Sequence, residues 1–489
     1  MIDHPGLTAR PSSTSESTGE TTILNDVHSR LNPTRPAEVV SVCSLPGLQA
    51  AVAAAGARGD RISVAGGRHA MGGQQFATGG TVLDTRTMSR VLHLERQSGL
   101  VEVEAGIEWP ELVDALHERQ RGEPTPWTIA QKQTGANRFT VGGSVSANCH
   151  GRGLMMGPIV ADVESLRVVT ADGSVRDCSR EVDRELFSLV IGGYGLFAVI
   201  YSVTLRLVPR RMLERVVELT IIDDLVEAVE QRVGSGFVYG DFQFAIDPAS
   251  PDFLHRGVFS CYRPVEAVVP ISSQQLTLGA ADWQDLLVLA HQDKSRAFDL
   301  YARHYLATSG QRYYSDDHQL AVYLDDYHDD LDRRLPAGER GTEMITEVYV
   351  PRHRLSDFMA AAADELRHRG ADVIYGTVRF TQPDEDTYLP WARQAYACVV
   401  FNLHTPHTPA GTERSAAAFR ALIDLAIARE GSYYLTYHRW AHDRQLLACY
   451  PQLPDLLALK RSYDPEEVFC SDWYAALVHL ACPTRPAPQ

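Results

Sequence analysis

No apolar run in the chain approaches the roughly 18 residues that a membrane-spanning helix needs. The N-terminus also lacks the basic segment and following apolar stretch of a secretory leader. The eight cysteines are scattered and form no C-x-x-C pair and no zinc-type spacing. The sequence therefore predicts a cytoplasmic protein with no membrane span, in which most cysteines are buried thiols.

The chain contains fewer basic than acidic residues. The 489 residues include 46 lysines and arginines against 62 aspartates and glutamates, a formal net charge of -16. Non-specific nucleic-acid binding needs a basic surface that neutralises phosphates, so this balance argues against a nucleic-acid partner. With 44% hydrophobic residues the chain can bury a large core, and we expect two or more domains.

Two glycine-rich loops are the most informative features that are present. Residues 61–74, RISVAGGRHAMGGQ, begin with a β-branched run and contain one histidine, His69. Residues 133–153, QTGANRFTVGGSVSANCHGRG, again combine small residues with many backbone donors. Glycine adopts backbone angles closed to other residues and lets main-chain N–H groups approach a phosphate. Both loops therefore favour an anionic ligand.

The order of these loops and of the segments 162–173 and 191–197 resembles the FAD-binding module of the vanillyl-alcohol oxidase superfamily, also called the p-cresol methylhydroxylase type. The resemblance covers roughly residues 35–210, with a weaker similarity at 459–469. It implies an α+β fold, in which an antiparallel-sheet cap domain covers a two-lobed FAD-binding module.

The domain boundaries follow from composition and from this resemblance. Residues 1–24 are too polar to bury a core and predict a disordered tail. We expect the FAD-binding domain at 25–210, the cap domain that binds the substrate at 211–450, and a C-terminal segment at 451–489 that returns to the FAD module.

The resemblance implies FAD as the cofactor, bonded covalently through its 8α-methyl group to the histidine at the position of His69. The berberine-bridge subgroup adds a cysteinyl bond, but the matching place here is near Ala136, so we expect one covalent bond at most. The residues predicted to hold the cofactor come from both loops and the next strand: Ala65, Gly66, Gly67, Arg68, His69, Ala70, Gly73, Gln74, Thr134, Gly135, Thr140, Gly142, Gly143, Ser146, Cys149, His150, Gly151 and Ile200.

One motif suggests a different dinucleotide fold. Residues 193–198, GYGLFA, fit G-x-G-x-x-A, a pattern that binds a pyrophosphate only where a helix follows it. The next residues, 199–208, are β-branched and alternate in polarity, which is typical of a strand. The sequence therefore disfavours an NAD-binding Rossmann domain.

Two cap strands resemble those of alditol and aldonolactone oxidases. Residues 375–380, YGTVRF, match a strand whose arginine contributes to the site beside the flavin, which makes Arg379 a catalytic candidate. That strand usually carries an acid two residues earlier, where this chain has Thr377. Glu347 resembles the acid of a second recurring cap strand and is a candidate to face the substrate.

Three residues compete for the role of catalytic base. Segment 433–442, YYLTYHRWAH, aligns loosely with decaprenylphosphoryl-ribose oxidase, whose lysine falls on Tyr437. It also aligns with alditol and aldonolactone oxidases, which point to His438 and His442. Histidine has an unperturbed pKa of about 6.5, which suits a base at neutral pH. Tyrosine would need its pKa lowered by a cation such as Arg439.

The sequence predicts no metal site. His404 and His407 flank Pro406 in a polar stretch that is typical of a surface loop. Cys149 and His150 lie inside the second glycine-rich loop, where the resemblance places them against the cofactor.

These features together predict an FAD-dependent oxidoreductase that oxidises an alcohol of a sugar, cyclitol or similar small polar molecule by hydride transfer to flavin N5. O2 is the expected acceptor, with hydrogen peroxide as product. The alternatives are a dehydrogenase with another electron acceptor, a natural-product tailoring enzyme of the berberine-bridge kind, and a noncatalytic flavin-binding scaffold. The missing cysteinyl attachment site argues against the berberine-bridge alternative.

Overall fold

The computed structural model describes residues 22–133, 137–267, 271–321, 324, 327–335 and 340–481. Residues 1–21 of the predicted tail lie outside this part of the chain. Leu24 is buried, and its backbone exchanges N–H···O bonds of 2.9 and 2.8 Å with Thr34. Leu24, the last residue of the predicted tail, therefore packs with the folded part of the described chain.

The first lobe is a parallel sheet with a covering helix. Its strands, in the order β1-β3-β2, are β1 Glu38–Ser41, β2 Ile62–Ala65 and β3 Thr81–Asp84. Helix α1 spans Leu45–Arg58, as its alanine-rich pattern predicts. The Ser44 hydroxyl accepts a bond from the Gly47 N–H at its start, and Gly59 ends it at φ +70°.

The second lobe is an antiparallel sheet in the order β4-β5-β9-β7-β8, with β6 also paired to β9. Its elements are β4 Val91–Glu95, β5 Leu100–Glu104, α2 Trp109–Arg119, β6 Trp127–Ile129, α3 Val141–Ser146, β7 Val163–Val169, β8 Val175–Ser179, α4 Arg184–Val190 and β9 Val199–Pro209. Strand β9 directly follows the GYGLFA motif, so the helix that a Rossmann fingerprint requires is absent there.

The cap is an eight-stranded antiparallel sheet in the order β13-β10-β12-β11-β15-β16-β14-β17. Its elements are β10 Met212–Ile221, α5 Ile222–Gly234, β11 Tyr239–Phe244, β12 Arg256–Val265, α6 Ala280–Gln292, α7 Lys294–Ala307, β13 Arg312–Tyr314, α8 Tyr327–Arg334, β14 Gly341–Pro351, α9 Leu355–Arg369, β15 Val373–Thr381, β16 Tyr396–Pro406, α10 Pro409–Ile427 and β17 Ser432–Tyr433.

The chain then returns to the first lobe through α11 Asp443–Cys449, α12 Leu453–Tyr463 and α13 Asp472–Leu477. Between α12 and α13 the backbone runs beside β2, where the Ile62 N–H donates to the Val468 carbonyl at 2.7 Å and Ile62 accepts from the Cys470 N–H at 2.8 Å. The α+β architecture of a two-lobed module with a sheet cap is confirmed.

Within the described residues, no helix combines the length and apolar character needed to cross a bilayer. Seven cysteines fall in this part of the chain. All seven are free thiols, and six of them are buried. The eighth, Cys482, lies outside the described residues.

Candidate active site

A cavity of ≈ 620 Å³ lies between the two N-terminal lobes and the cap sheet. One wall consists of the two glycine-rich loops. The opposite wall consists of side chains from β11, β14, β15 and β16, so residues far apart in sequence meet across it.

The cavity gathers most of the predicted cofactor residues. The predicted residues that line it are Gly66, Gly67, Arg68, His69, Ala70, Gln74, Thr140, Gly142, Gly143, Ser146, Cys149 and Ile200. Four others, Ala65, Gly73, His150 and Gly151, do not contribute to its lining. Thr134 and Gly135 lie outside the described residues. Among the catalytic candidates, Tyr437 and Arg379 line the cavity, whereas Glu347, His438 and His442 do not.

The two loops pack so closely that side chains are excluded from their contact. A Cβ atom on Gly66 would lie 2.3 Å from Thr140 Oγ1, and one on Gly67 would lie 2.3 Å from the Arg138 carbonyl oxygen. Thr140 is itself held in place because its hydroxyl accepts a bond from the Gly143 N–H at the start of α3. The glycines therefore bring bare backbone to the cavity wall, as a phosphate-binding surface requires.

His69 is buried in this wall beside a second histidine from the N-terminal segment. Its Nδ1 lies 2.9 Å from Nε2 of His28, and its ring meets Phe139 edge-on at 4.2 Å between centroids. Burial, reinforced by His28, holds the pKa of His69 well below its usual value. His69 is therefore neutral at pH 7, the form in which an imidazole nitrogen can act as a nucleophile.

Residues 25–35 are short and polar, and no pattern in them predicts that the segment reaches the site. Asp26 accepts bonds from the backbone N–H of Ser29 at 2.6 Å and from its hydroxyl at 2.8 Å. The same Ser29 hydroxyl lies 2.9 Å from Nε2 of His438. His438, one of the predicted bases, is therefore hydrogen-bonded to the N-terminal segment, and burial lowers the pKa of His438 to about 4.

His442 also lies away from the cavity. Its backbone N–H donates to Oε1 of Gln445 at 3.0 Å, at the start of α11. Arg439, the cation expected to activate Tyr437, donates instead to the carbonyl of Asp472. The expectation that Arg439 lowers the tyrosine's pKa is wrong, since burial and the neighbouring Glu347 raise the pKa of Tyr437 well above its usual value.

Tyr437 belongs to a buried chain of polar groups that crosses from the cap to the second loop. Its hydroxyl lies 3.1 Å from Oε2 of Glu347, and Oε1 of the same carboxylate lies 2.6 Å from Nε2 of His150. Nδ1 of His150 lies 3.0 Å from the Gly151 carbonyl, which can only accept. Nδ1 is therefore the donor in this contact, and Nε2 of the same ring faces the Glu347 carboxyl group.

The cap wall presents several buried polar atoms that have no hydrogen-bond partner among the described residues. They are Nε and Nη1 of Arg379, Oγ1 of Thr377, Oε1 of Gln243 and Oδ1 of Asn402. Gln243 and Thr377 are opposite each other across β11 and β15, and Thr377 pairs in turn with Val400 on β16. A buried polar atom without a partner is costly, so these positions point to a polar ligand.

Two further groups near the second loop have altered protonation. Burial raises the pKa of Cys149 to about 12, so this cavity-lining residue is a neutral thiol. Burial and the charge of Arg152 lower the pKa of Lys132 to about 7. Its ammonium donates to the Gln133 carbonyl at 2.7 Å.

The surface-loop interpretation of His404 is wrong. This residue lies in β16, and its Nδ1 is 3.1 Å from Oε1 of Glu343, which is also 2.9 Å from Nε2 of His291. The two imidazoles hold the pKa of Glu343 down at about 2 despite its burial. His407 bonds the hydroxyl of Thr342, where β14 begins.

Comparison with known proteins agrees with this geometry. Residues 36–179 match the family described as FAD binding domain. The chain is 26% identical over 443 residues to L-gulono-1,4-lactone dehydrogenase of Mycobacterium tuberculosis. The aligned region covers 90% of this chain and 95% of that protein. It is 34% identical over 170 residues to mitochondrial L-galactono-1,4-lactone dehydrogenase 1 of Oryza sativa subsp. japonica, covering 35% and 28% of the two chains. Cytokinin dehydrogenase 10 of the same plant is 32% identical over 203 residues, covering 38% and 35%.

The protein is an FAD-dependent oxidoreductase. The family match and the two lactone dehydrogenases support the resemblance to the vanillyl-alcohol oxidase or p-cresol methylhydroxylase superfamily and to its aldonolactone oxidase branch. The cavity fits this cofactor: the crowded glycines keep the loop backbone open to a pyrophosphate, and Arg68 adds a guanidinium whose buried Nε has no partner in the described structure.

Replacing Gly66 with alanine should reduce FAD retention, because its Cβ would displace Thr140 and open the contact between the two loops. The measurement is flavin absorbance per mole of purified protein. Gly234→Ala is the matched control, since a Cβ there meets nothing within 4 Å. Full flavin content in Gly66→Ala would contradict the assignment of this loop to the cofactor.

Proposed function

We propose that the protein oxidises a primary or secondary alcohol of a sugar, cyclitol or similar small polar molecule, with O2 as acceptor and hydrogen peroxide as product. The principal support is the cap wall, where Gln243, Thr377, Arg379 and Asn402 turn unpartnered polar atoms towards the space beside the cofactor loops. A polyhydroxylated ligand supplies both donors and acceptors for such atoms. The relatives whose names include sugar lactones support the same class of substrate.

FAD, when bound, supplies the acceptor for the hydride that leaves the carbinol carbon. The protein must take the hydroxyl proton, and Tyr437 is the predicted base that reaches the cavity. Its raised pKa makes it a neutral phenol, so it acts as a relay: its oxygen accepts the substrate proton while its own proton passes to Oε2 of Glu347. Glu347 is thus the final acceptor, and His150 positions it.

Arg379 supplies fixed positive charge to this wall. It is 6% exposed, and two of its guanidinium nitrogens have no partner among the described residues. Negative charge that develops in the cavity during oxidation is stabilised by a preorganised cation of this kind. The neutral imidazole of His69 provides the proposed covalent attachment, with His28 at 2.9 Å setting which ring nitrogen holds the proton.

The names of the relatives do not favour O2 as the electron acceptor, since the three compared above are all called dehydrogenases. Hydrogen peroxide formed in proportion to product supports the oxidase. Turnover only with an added artificial acceptor supports a dehydrogenase acting on the same substrate.

Substituting His69 with alanine should abolish acid-stable flavin, because no other nucleophilic side chain occupies its place in the first loop. The test is whether yellow colour remains with the acid-precipitated protein. His28→Ala should slow the attachment without removing the attacking nitrogen. Colour that stays in the pellet of the His69 variant would place the bond at another residue.

Glu347→Gln should slow flavin reduction by substrate roughly 10²- to 10⁴-fold, the usual contribution of a positioned acid or base. Anaerobic stopped-flow measurement of flavin bleaching gives this rate. Glu343→Gln is the matched control, because Glu343 is also buried on β14 and bonds two imidazoles, but lies outside this cavity. An equal rate loss in both variants would mean that the effect is structural.

A further inference from the structure

We propose that the substrate alcohol carries an anionic group, a carboxylate or a phosphate, which binds Arg152 and His318 at the cap end of the cavity. This inference rests on the proposed function and narrows its substrate class to sugar acids, sugar phosphates and chemically similar compounds. Three groups form the subsite: Arg152, His318 and Arg215, all of which line the cavity.

Arg152 lies near the end of the second loop, three residues after the cavity-lining Cys149, and its side chain is 12% exposed. Nη2 donates to the backbone carbonyl and to Nδ1 of His318, the latter at 2.9 Å. Nη1 lies 3.8 Å from Oδ1 of Asp241, which is beyond hydrogen-bond length. Nε is buried and has no partner among the described residues. The Nε–H group is therefore the donor of this guanidinium that lacks an acceptor among the described residues.

His318 adds a second donor. Because its Nδ1 accepts from Arg152, the ring proton must be on Nε2 in the neutral imidazole. Burial and the charge of Arg152 hold the pKa of His318 well below its usual value, so the neutral form is the one present at pH 7. Nε2 is buried and has no partner among the described residues. The imidazole therefore offers an N–H group that nothing in the described structure accepts.

Arg215 supplies a second positive charge. Its guanidinium carbon lies 5.0 Å from the centroid of the Tyr262 ring, and that of Arg152 lies 4.8 Å from the same centroid. Nε of Arg215 donates to the Tyr262 hydroxyl at 2.8 Å, and Nη1 donates to Thr308 at 3.1 Å. Both partners are neutral, so the charge of Arg215 is not compensated by them.

The charges around this end of the cavity do not balance. Among the described residues that line the cavity, Asp241 is the one acidic side chain, and its Oδ1 lies 3.8 Å from Nη1 of Arg152, whereas Arg152 and Arg215 carry two positive charges. Excess charge in a buried site is costly unless a counter-charge is present. The unpartnered N–H groups of Arg152 and His318 can only donate hydrogen bonds, whereas a sugar hydroxyl both donates and accepts them. An oxyanion accepts only, and it supplies the missing negative charge.

This subsite is separate from the groups proposed to act on the reacting alcohol. Arg379, Tyr437 and Glu347 are assigned to the oxidation step, whereas Arg152 and His318 are assigned to the far end of the substrate. The subsite therefore determines which alcohol is selected and in which direction it enters.

The test uses the holoenzyme and three linear six-carbon compounds that differ at one end: sorbitol, gluconate and sorbitol 6-phosphate. Binding is followed anaerobically from changes in flavin absorbance and, independently, by titration calorimetry. We expect at least one anionic compound to bind about tenfold or more tightly than sorbitol, the effect of one charge-assisted hydrogen bond. The preferred anion distinguishes a carboxylate from a phosphate site.

Arg152→Gln should remove this preference, and Arg152→Lys should retain part of it because the charge remains. Arg296→Gln, at an exposed position on cap helix α7, is the matched control and should bind as the unmodified protein does. His318→Phe keeps a ring against Tyr262 and Tyr239 but removes the Nε2 donor, and it should also weaken anion binding. The comparison of the three compounds uses only the unmodified protein, so it does not depend on whether any variant folds.

Equal affinity for the three compounds, or an anion preference that survives in Arg152→Gln, would overturn the anionic subsite while leaving alcohol oxidation intact. If the protein binds the anions selectively but no alcohol bleaches the flavin, the anionic subsite is supported and the proposed alcohol oxidation is contradicted.

Discussion

The buried contact between His150 and Glu347 joins the two halves of this protein. His150 is 2% exposed and Glu347 is fully buried, and their 2.6 Å contact connects the second glycine-rich loop to strand β14 of the cap sheet. Burying a carboxylate is costly unless it is paired and fully hydrogen-bonded. Here the imidazole and the Tyr437 hydroxyl satisfy both oxygens. The same groups that hold the cap over the cavity therefore also connect Tyr437 to a proton acceptor.

Other bonds reinforce this junction. The Tyr434 hydroxyl donates to the Ala147 carbonyl of the second loop at 2.7 Å. The Gln74 amide in the first loop donates to the Leu435 carbonyl at 2.6 Å. Both glycine-rich loops are thus tied to the segment that carries Tyr437. This arrangement is consistent with the proposed transfer of hydride and proton at one site, because the loops assigned to the cofactor bond the segment that carries Tyr437, the proposed relay.

The sequence was most informative where the determining interactions are local. A helix over Leu45–Arg58 and one over Trp109–Arg119 are predictable from the sequence, since the caps and the residue pattern of α1 and α2 lie within a single segment. The two glycine-rich loops were recognisable for the same reason: their composition alone indicates close backbone packing. Arg379 was identified through the strand motif that surrounds it, and the structure places it in the cavity.

Site residues that depend on distant contacts were beyond the reach of sequence reasoning. His28 and His69 are 41 residues apart, and Arg152 and His318 are 166 apart, so no periodic pattern links either pair. The choice among Tyr437, His438 and His442 depends on side-chain direction within one short loop. The structure places Tyr437 in the cavity lining and His438 against Ser29.

The most direct test of the central claim is the visible spectrum of the purified protein under anaerobic conditions, recorded before and after addition of alditols, cyclitols, aldonolactones and sugar acids. The account predicts a bound flavin whose absorbance bleaches with one of these classes, because the cavity presents a proton relay and a polar wall beside the cofactor loops. Flavin that is present but unchanged by every alcohol would contradict it and would favour a noncatalytic flavin-binding role.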